Sequence, residues 1–169
     1  MTQPVLSGVA IDLTHAGLSY RGHDVPALRR AGVPEPVILA AVKDLLQAGI
    51  DADAEALRAR LASPGAGQAM EYQEAAAQAA AALTAPGSAT ADAYPMLAAT
   101  VGIDIDPETG APAVDVLGVA RAVAAASARW LTAGAAIRKA RLTGKAAVAA
   151  AATPEAAQAA RVEIIWPTF

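Results

Sequence analysis

Few residues in this chain are able to carry chemistry, and they are scattered. His15 and His23 are its only imidazoles, with Asp24 beside the second. A weak metal site can be drawn through them, but their separation fixes no geometry, so ordinary surface or core histidines are expected. Asp104, Asp106 and Glu108 alternate ahead of Gly110 as a calcium loop would begin. The glycine falls one position late, and Asp115 stands where a bidentate Glu belongs. Residues 104–110 therefore read as a surface turn, with ion binding there left open. Gly144-Lys145 has the ending of a phosphate loop, yet Ala146 replaces the magnesium-holding Ser or Thr and the upstream glycine is missing. No Gly-x-Ser-x-Gly elbow, His-Glu-x-x-His pair or dinucleotide glycine set occurs. The absence of cysteine removes thiolate catalysis, disulfides and Cys-ligated metals. No enzyme activity, cofactor, metal or small-molecule substrate is expected.

The bulk composition points the same way. Of 169 residues 49 are alanine, while Phe, Trp and Tyr together make up 4%. Such a chain has few side chains with which to wall a deep ligand pocket. It is nevertheless too apolar, at 55%, to be disordered. A net charge of −3 provides no global field for nucleic acid or an anionic membrane. Val25 to Leu46 can be read as a helix-turn-helix with Arg29, Arg30 and Lys43 as phosphate contacts, but Asp24, Glu35 and Asp44 offset them, and nucleic acid is not the expected partner. No signal peptide is read at Met1–Leu13, and no apolar run is long enough to span a membrane, so membrane insertion is not expected.

The elements that would position these residues are mainly helical. Val5, Ser7, Val9, Ile11 and Leu13 alternate, predicting one or two short strands at the start. Asp24 before Val25-Pro26 opens a short helix closed by Gly32, and a second begins at Pro34-Glu35-Pro36. Gly49-Ile50 reads as its stop, with Asp51 or Asp53 capping a further helix through Leu57 and Leu61. A linker, Ala62 to Gly67, precedes a strongly helical run from Gln68 to Leu83, where Met70, Ala77 and Leu83 are the candidates for a buried stripe. After a loop from Gly102 to Pro112, a long helix is predicted from about Ala113 to Arg141. Val116, Ala120, Val123, Ser127, Trp130, Gly134, Ile137 and Arg141 step by four and three along it, as the seam of an antiparallel hairpin does. Trp130 and Trp166 read as core anchors. Thr153-Pro154-Glu155 begins a last helix, with Trp166 ending the apolar run after it.

The expected fold is thus mainly α. A small N-terminal helical module with one or two short strands (1–65) is followed by a long antiparallel helical hairpin or bundle with an anchored tail (66–169). Charge is split along the chain. Residues 44–115 hold eleven acids against Arg58 and Arg60, and residues 116–162 hold seven bases against Glu155. An acidic helix lying against a basic one satisfies both, with the bases from Arg138 to Lys145 placed at a helix C-terminus.

Between Ala69 and Pro167, about 100 of the 169 residues, a series of short motifs carries a resemblance. They are Tyr72-Gln73-Glu74-Ala75; Ala93-Tyr94-Pro95-Met96-Leu97-Ala98-Ala99 followed by Val101-Gly102; Val119-Ala120 with Trp130 eleven residues on; Ile137-Arg138-Lys139-Ala140-Arg141 leading to Lys145-Ala146-Ala147; and Ile165-Trp166-Pro167. Together they resemble the helical region of small accessory proteins encoded in tail, fibre or head-spike clusters of tailed bacteriophages and gene transfer agents. The resemblance implies a structural component of a phage-like particle, an adaptor or base for a tail fibre or head spike involved in host attachment. Its partners would be copies of itself, as a trimer or another small ring, and other virion or appendage proteins. It would be assembled in the bacterial cytoplasm. The alternatives are a fibre-assembly chaperone absent from the finished particle and, from another class, a helix-turn-helix regulator. The interaction seam is expected at Val116, Ala120, Val123, Ser127, Trp130, Gly134 and Ile137.

Overall fold

The computed structural model describes residues 10–61 and 65–169. Its strands and α-helices run β1 (Ile11–His15), β2 (Leu18–His23), α1 (Val25–Arg30), α2 (Glu35–Ala59), α3 (Ala66–Thr84), α4 (Pro95–Ala98), α5 (Val116–Ala150) and α6 (Pro154–Val162). The chain is mainly helical, with a small two-stranded antiparallel sheet ahead of long helices. Two compact units are formed, one from Met1–Arg58 with Ala136–Phe169 and the other from Ala59–Ala135. The units part after Arg58 and again inside α5 after Ala135, whereas composition marks only the linker near residue 62.

In the first unit, Ala16 and Gly17 both take positive φ and make a two-residue hairpin between β1 and β2. His15 faces Leu18 and Leu13 faces Tyr20, and the register slips between Ile11 and Leu13. The Asp12 carboxylate fills that slip by accepting from the Gly22 backbone N–H at 2.7 Å. Val5, Ser7 and Val9 of the expected strand lie outside the described residues.

Asp24 caps α1, accepting from the Ala27 N–H at 2.8 Å. Gly32, at φ +78°, ends that helix with paired backbone bonds, Gly32 to Arg29 and Val33 to Leu28, and delivers Val33 into the core. The stop expected at Gly49-Ile50 is not made: α2 is one helix from Glu35 to Ala59. Ile38, Val42, Leu46, Ile50 and Ala54 are all buried at four-residue steps, so breaking the helix at Gly49 would pull Ile50 and Ala54 off the core. The core gathers Ile11, Val25, Leu28, Val33 and that α2 stripe with Val148 of α5 and Ala157 of α6. Thr153 caps α6, and Ile164 and Trp166 pack against the same cluster.

The second unit has a core of smaller residues: Ala79 and Ala82 of α3, Leu97 of α4, Ala113, and Val116, Val119 and Ala120 of α5. The stripe expected on α3 is not the buried one. Met70 is 70% exposed and Leu83 37%, while Ala79 and Ala82 are fully buried, so alanines form the inward face of α3. Residues 102–113 close a tight turn through Gly102 N–H to Ala113 O and Ala113 N–H to Asp104 O, both 2.8 Å. Asp115 then accepts from the Gly118 N–H at 2.8 Å, which places the start of α5 at Val116 rather than Ala113. The helix also runs past Arg141 to Ala150. The bases from Arg138 to Lys145 therefore lie within the helix and not at its C-terminus. Nothing in Leu142–Ala150 breaks it, because Gly144 is held helical and the alanines after it favour continuation.

Candidate interaction surface

α5 carries the seven seam residues. Val116, Ala120 and Ile137 are buried, Val123, Ser127 and Gly134 are half-buried, and Trp130 is 45% exposed. Six of them belong to the second unit and Ile137 to the first. Trp130 is therefore no core anchor. Its ring lies along its own helix, with ring carbons 3.7–3.9 Å from where a Cβ on Gly134 would stand. A Cβ at position 134 would rest on that indole at ordinary contact distance. Beside Trp130, Leu131 is 61% exposed. Met70 and Tyr72 on α3 of the same unit are also exposed. Sequence spacing placed Trp130 inward because a period of 3.6 identifies a stripe without saying which residues something covers. Trp166, the other expected anchor, does pack against the first unit's core.

Four basic side chains of α5 and α6, Arg121, Arg141, Lys145 and Arg161, are used in ion pairs within their own unit. In the first unit, Asp51 accepts from Arg141 at 2.5 Å and from Lys145 at 2.6 Å, and its carboxyl is held below its ordinary range, chiefly by the Lys145 bond and then by Arg141. Arg161 pairs with Asp53. The acidic partners sit on α2; Glu71 and Glu74 of the acidic α3 have no ion pair among the described residues. Lys145 thus has a carboxylate partner, and Gly144 is buried under Ile164, whose side chain occupies the place of a Cβ. Both members of the false phosphate loop are absorbed by packing.

Arg29 bonds Glu35 at 2.5 Å and Glu155 at 2.8 Å, and the Lys43 ammonium donates to the Ala149 carbonyl at 2.7 Å. Two of the three bases in the helix-turn-helix reading are therefore engaged inside the unit. The Arg30 guanidinium lies 3.4 Å from the Pro26 carbonyl of its own helix.

In the second unit Asp106, 3% exposed, is gripped by Arg121 through two bonds of 2.9 and 2.5 Å and accepts the Glu108 N–H at 3.0 Å. These bonds, Arg121 first, hold its carboxyl at about 2. The Asp104–Gly110 segment is thus a turn clamped to α5, with its central carboxylate already paired to a cation. Among the described residues no group of three His, Asp or Glu side chains is placed to hold a metal ion. His23 instead approaches the Arg21 carbonyl at 2.9 Å and meets Tyr20 edge-on at 5.7 Å. No described helix is long and apolar enough to cross a membrane.

The second unit thus exposes aromatic and aliphatic side chains, Met70, Tyr72, Trp130 and Leu131, over a core largely of alanine and valine. Comparison with known proteins finds no family, curated protein or solved structure that matches the chain.

Proposed function

We propose that this chain is a structural component of a phage-like particle, an adaptor or base for a tail fibre or head spike. It works by binding copies of itself and neighbouring appendage proteins. The observation that carries the reading is the exposure of Met70, Trp130 and Leu131 on a unit whose own core is largely alanine and valine. A core of that composition gains little from burial within one chain, so large apolar side chains left outside are available to a partner. The resemblance of residues 69–167 to accessory proteins of phage and gene-transfer-agent tail clusters supplies the setting.

The test is quantitative mass spectrometry of density-purified particles from cells that encode the chain. Presence in a low, fixed ratio to the major capsid protein is the expected result. Absence from particles, together with abundance in the lysate, would overturn the reading in favour of an assembly chaperone.

A further inference from the structure

The second unit presents two helical arms of opposite charge. α3 joins the alanine-rich cluster from Ala75 onward, and α5 leaves it after Val123. At about 1.5 Å per residue, Met70 stands ~8 Å before Ala75 and Trp130 ~11 Å beyond Val123, so both apolar groups lie beyond the core along their arms. α3, Ala66–Thr84, contains Glu71 and Glu74 and no base. From Val116 to Ala135, α5 contains Arg121 and Arg129 and no acid. Arg121 is committed to Asp106. Arg129 and Glu71 have no ion partner or hydrogen bond among the described residues, and Glu74 receives only the Gln78 amide, at 2.9 Å. Each arm thus shows large apolar side chains beside charges of one sign, and the opposite sign is on the other arm.

We infer that the partner of this surface is a second copy of the same chain, with the acidic arm α3 of one copy packed on the basic arm α5 of the next. In that contact Met70 meets the Trp130-Leu131 step while Glu71 and Glu74 meet Arg129. Opposite charges beside a shared apolar patch fix which helix faces which, because α3 on α3 or α5 on α5 would set like charges together. Reciprocal contacts give a two-fold pair, and successive ones give a closed ring. The inference rests on reading this surface as an interaction site, though not on the particle in which it would be used.

The test is sedimentation equilibrium of the full chain and of two variants, Arg129→Glu and the double change Glu71→Arg with Glu74→Arg. Helical circular dichroism confirms that each is folded. Wild type is expected to associate, less so in high salt, and each variant alone to associate about tenfold more weakly, since every contact then sets like charges together. Mixed in equal amounts, the two variants should recover the wild-type mass, because the reversed arms complement one another across chains. A wild-type chain that stays monomeric would overturn the inference, as would variants that do not recover on mixing. Such a result would leave the particle measurement above unaffected, and absence from particles would leave this contact standing.

Discussion

Gly144 and Asp106 show how one side chain, or the lack of one, sets local packing. A Cβ at 144 would overlap Ile164, so Gly144→Ala is expected to destabilise the first unit by about 1–3 kcal/mol. Adding Ile164→Ala should remove most of that penalty, and a double-mutant cycle from denaturant unfolding measures the coupling. Asp106 carries a pH signature. Its carboxyl sits at about 2 against an ordinary 3.8, so the folded state favours the ionised form. The resulting stabilisation is complete above about pH 4 and is lost as the pH falls toward about 2. Asp106→Asn should therefore be less stable than wild type near neutrality, with the gap closing across that acid range in thermal melts. A constant gap would show that the Arg121 bonds do not tune the carboxyl. Neither role could be read from local spacing: Gly144 meets a residue twenty positions on, and Asp106 meets an arginine beyond the turn that holds it.

Helix starts were legible where the signal is local. Asp24, Thr153 and the prolines after them act within one turn, and each begins its helix where the sequence places it. Stops were harder to read. Gly49 resembles a stop, but the burial of Ile50 and Ala54 carries α2 through it, so a tertiary contact outweighs a local preference. This yields a signed prediction: Gly49→Ala should stabilise the protein by about 0.5–1 kcal/mol, since a helical glycine costs backbone entropy and a Cβ there meets only the Arg161 side chain at 4.0 Å. Loss of stability on that change, in denaturant melts, would show a left-handed stop instead. On α5, Trp130→Ala is expected to cost under about 1 kcal/mol at concentrations where the chain is monomeric, because a half-exposed indole leaves no cavity. The inward stripe of α3 was illegible for a plain reason. In a helix with this many alanines the buried and exposed faces have nearly the same composition, and the few large residues face outward.

Across the whole molecule, the two cores differ in what they bury. The first is built from isoleucine, leucine and valine, the second chiefly from alanine and valine around Leu97. Burial scales with apolar area, so backbone amides of Ile38–Ala54 should exchange with deuterium more slowly than those of Met70–Ala82, as peptide-resolved mass spectrometry would report. The mainly helical class and the opposed charges were readable from composition, but the assignment of Val148 and Ala157 to the N-terminal core was not, since nothing in those alanine-rich stretches names a distant partner. That assignment sets an order of events during synthesis. The first core draws on residues before 59 and after 135, so it stays incomplete while the whole of Ala59–Ala135 is being translated. The second unit is contiguous in sequence and all its parts emerge together, so it is able to close first. A ribosome making this protein would thus carry a finished later unit ahead of an unfinished earlier one, with Ile38, Val42 and Leu46 awaiting their cover.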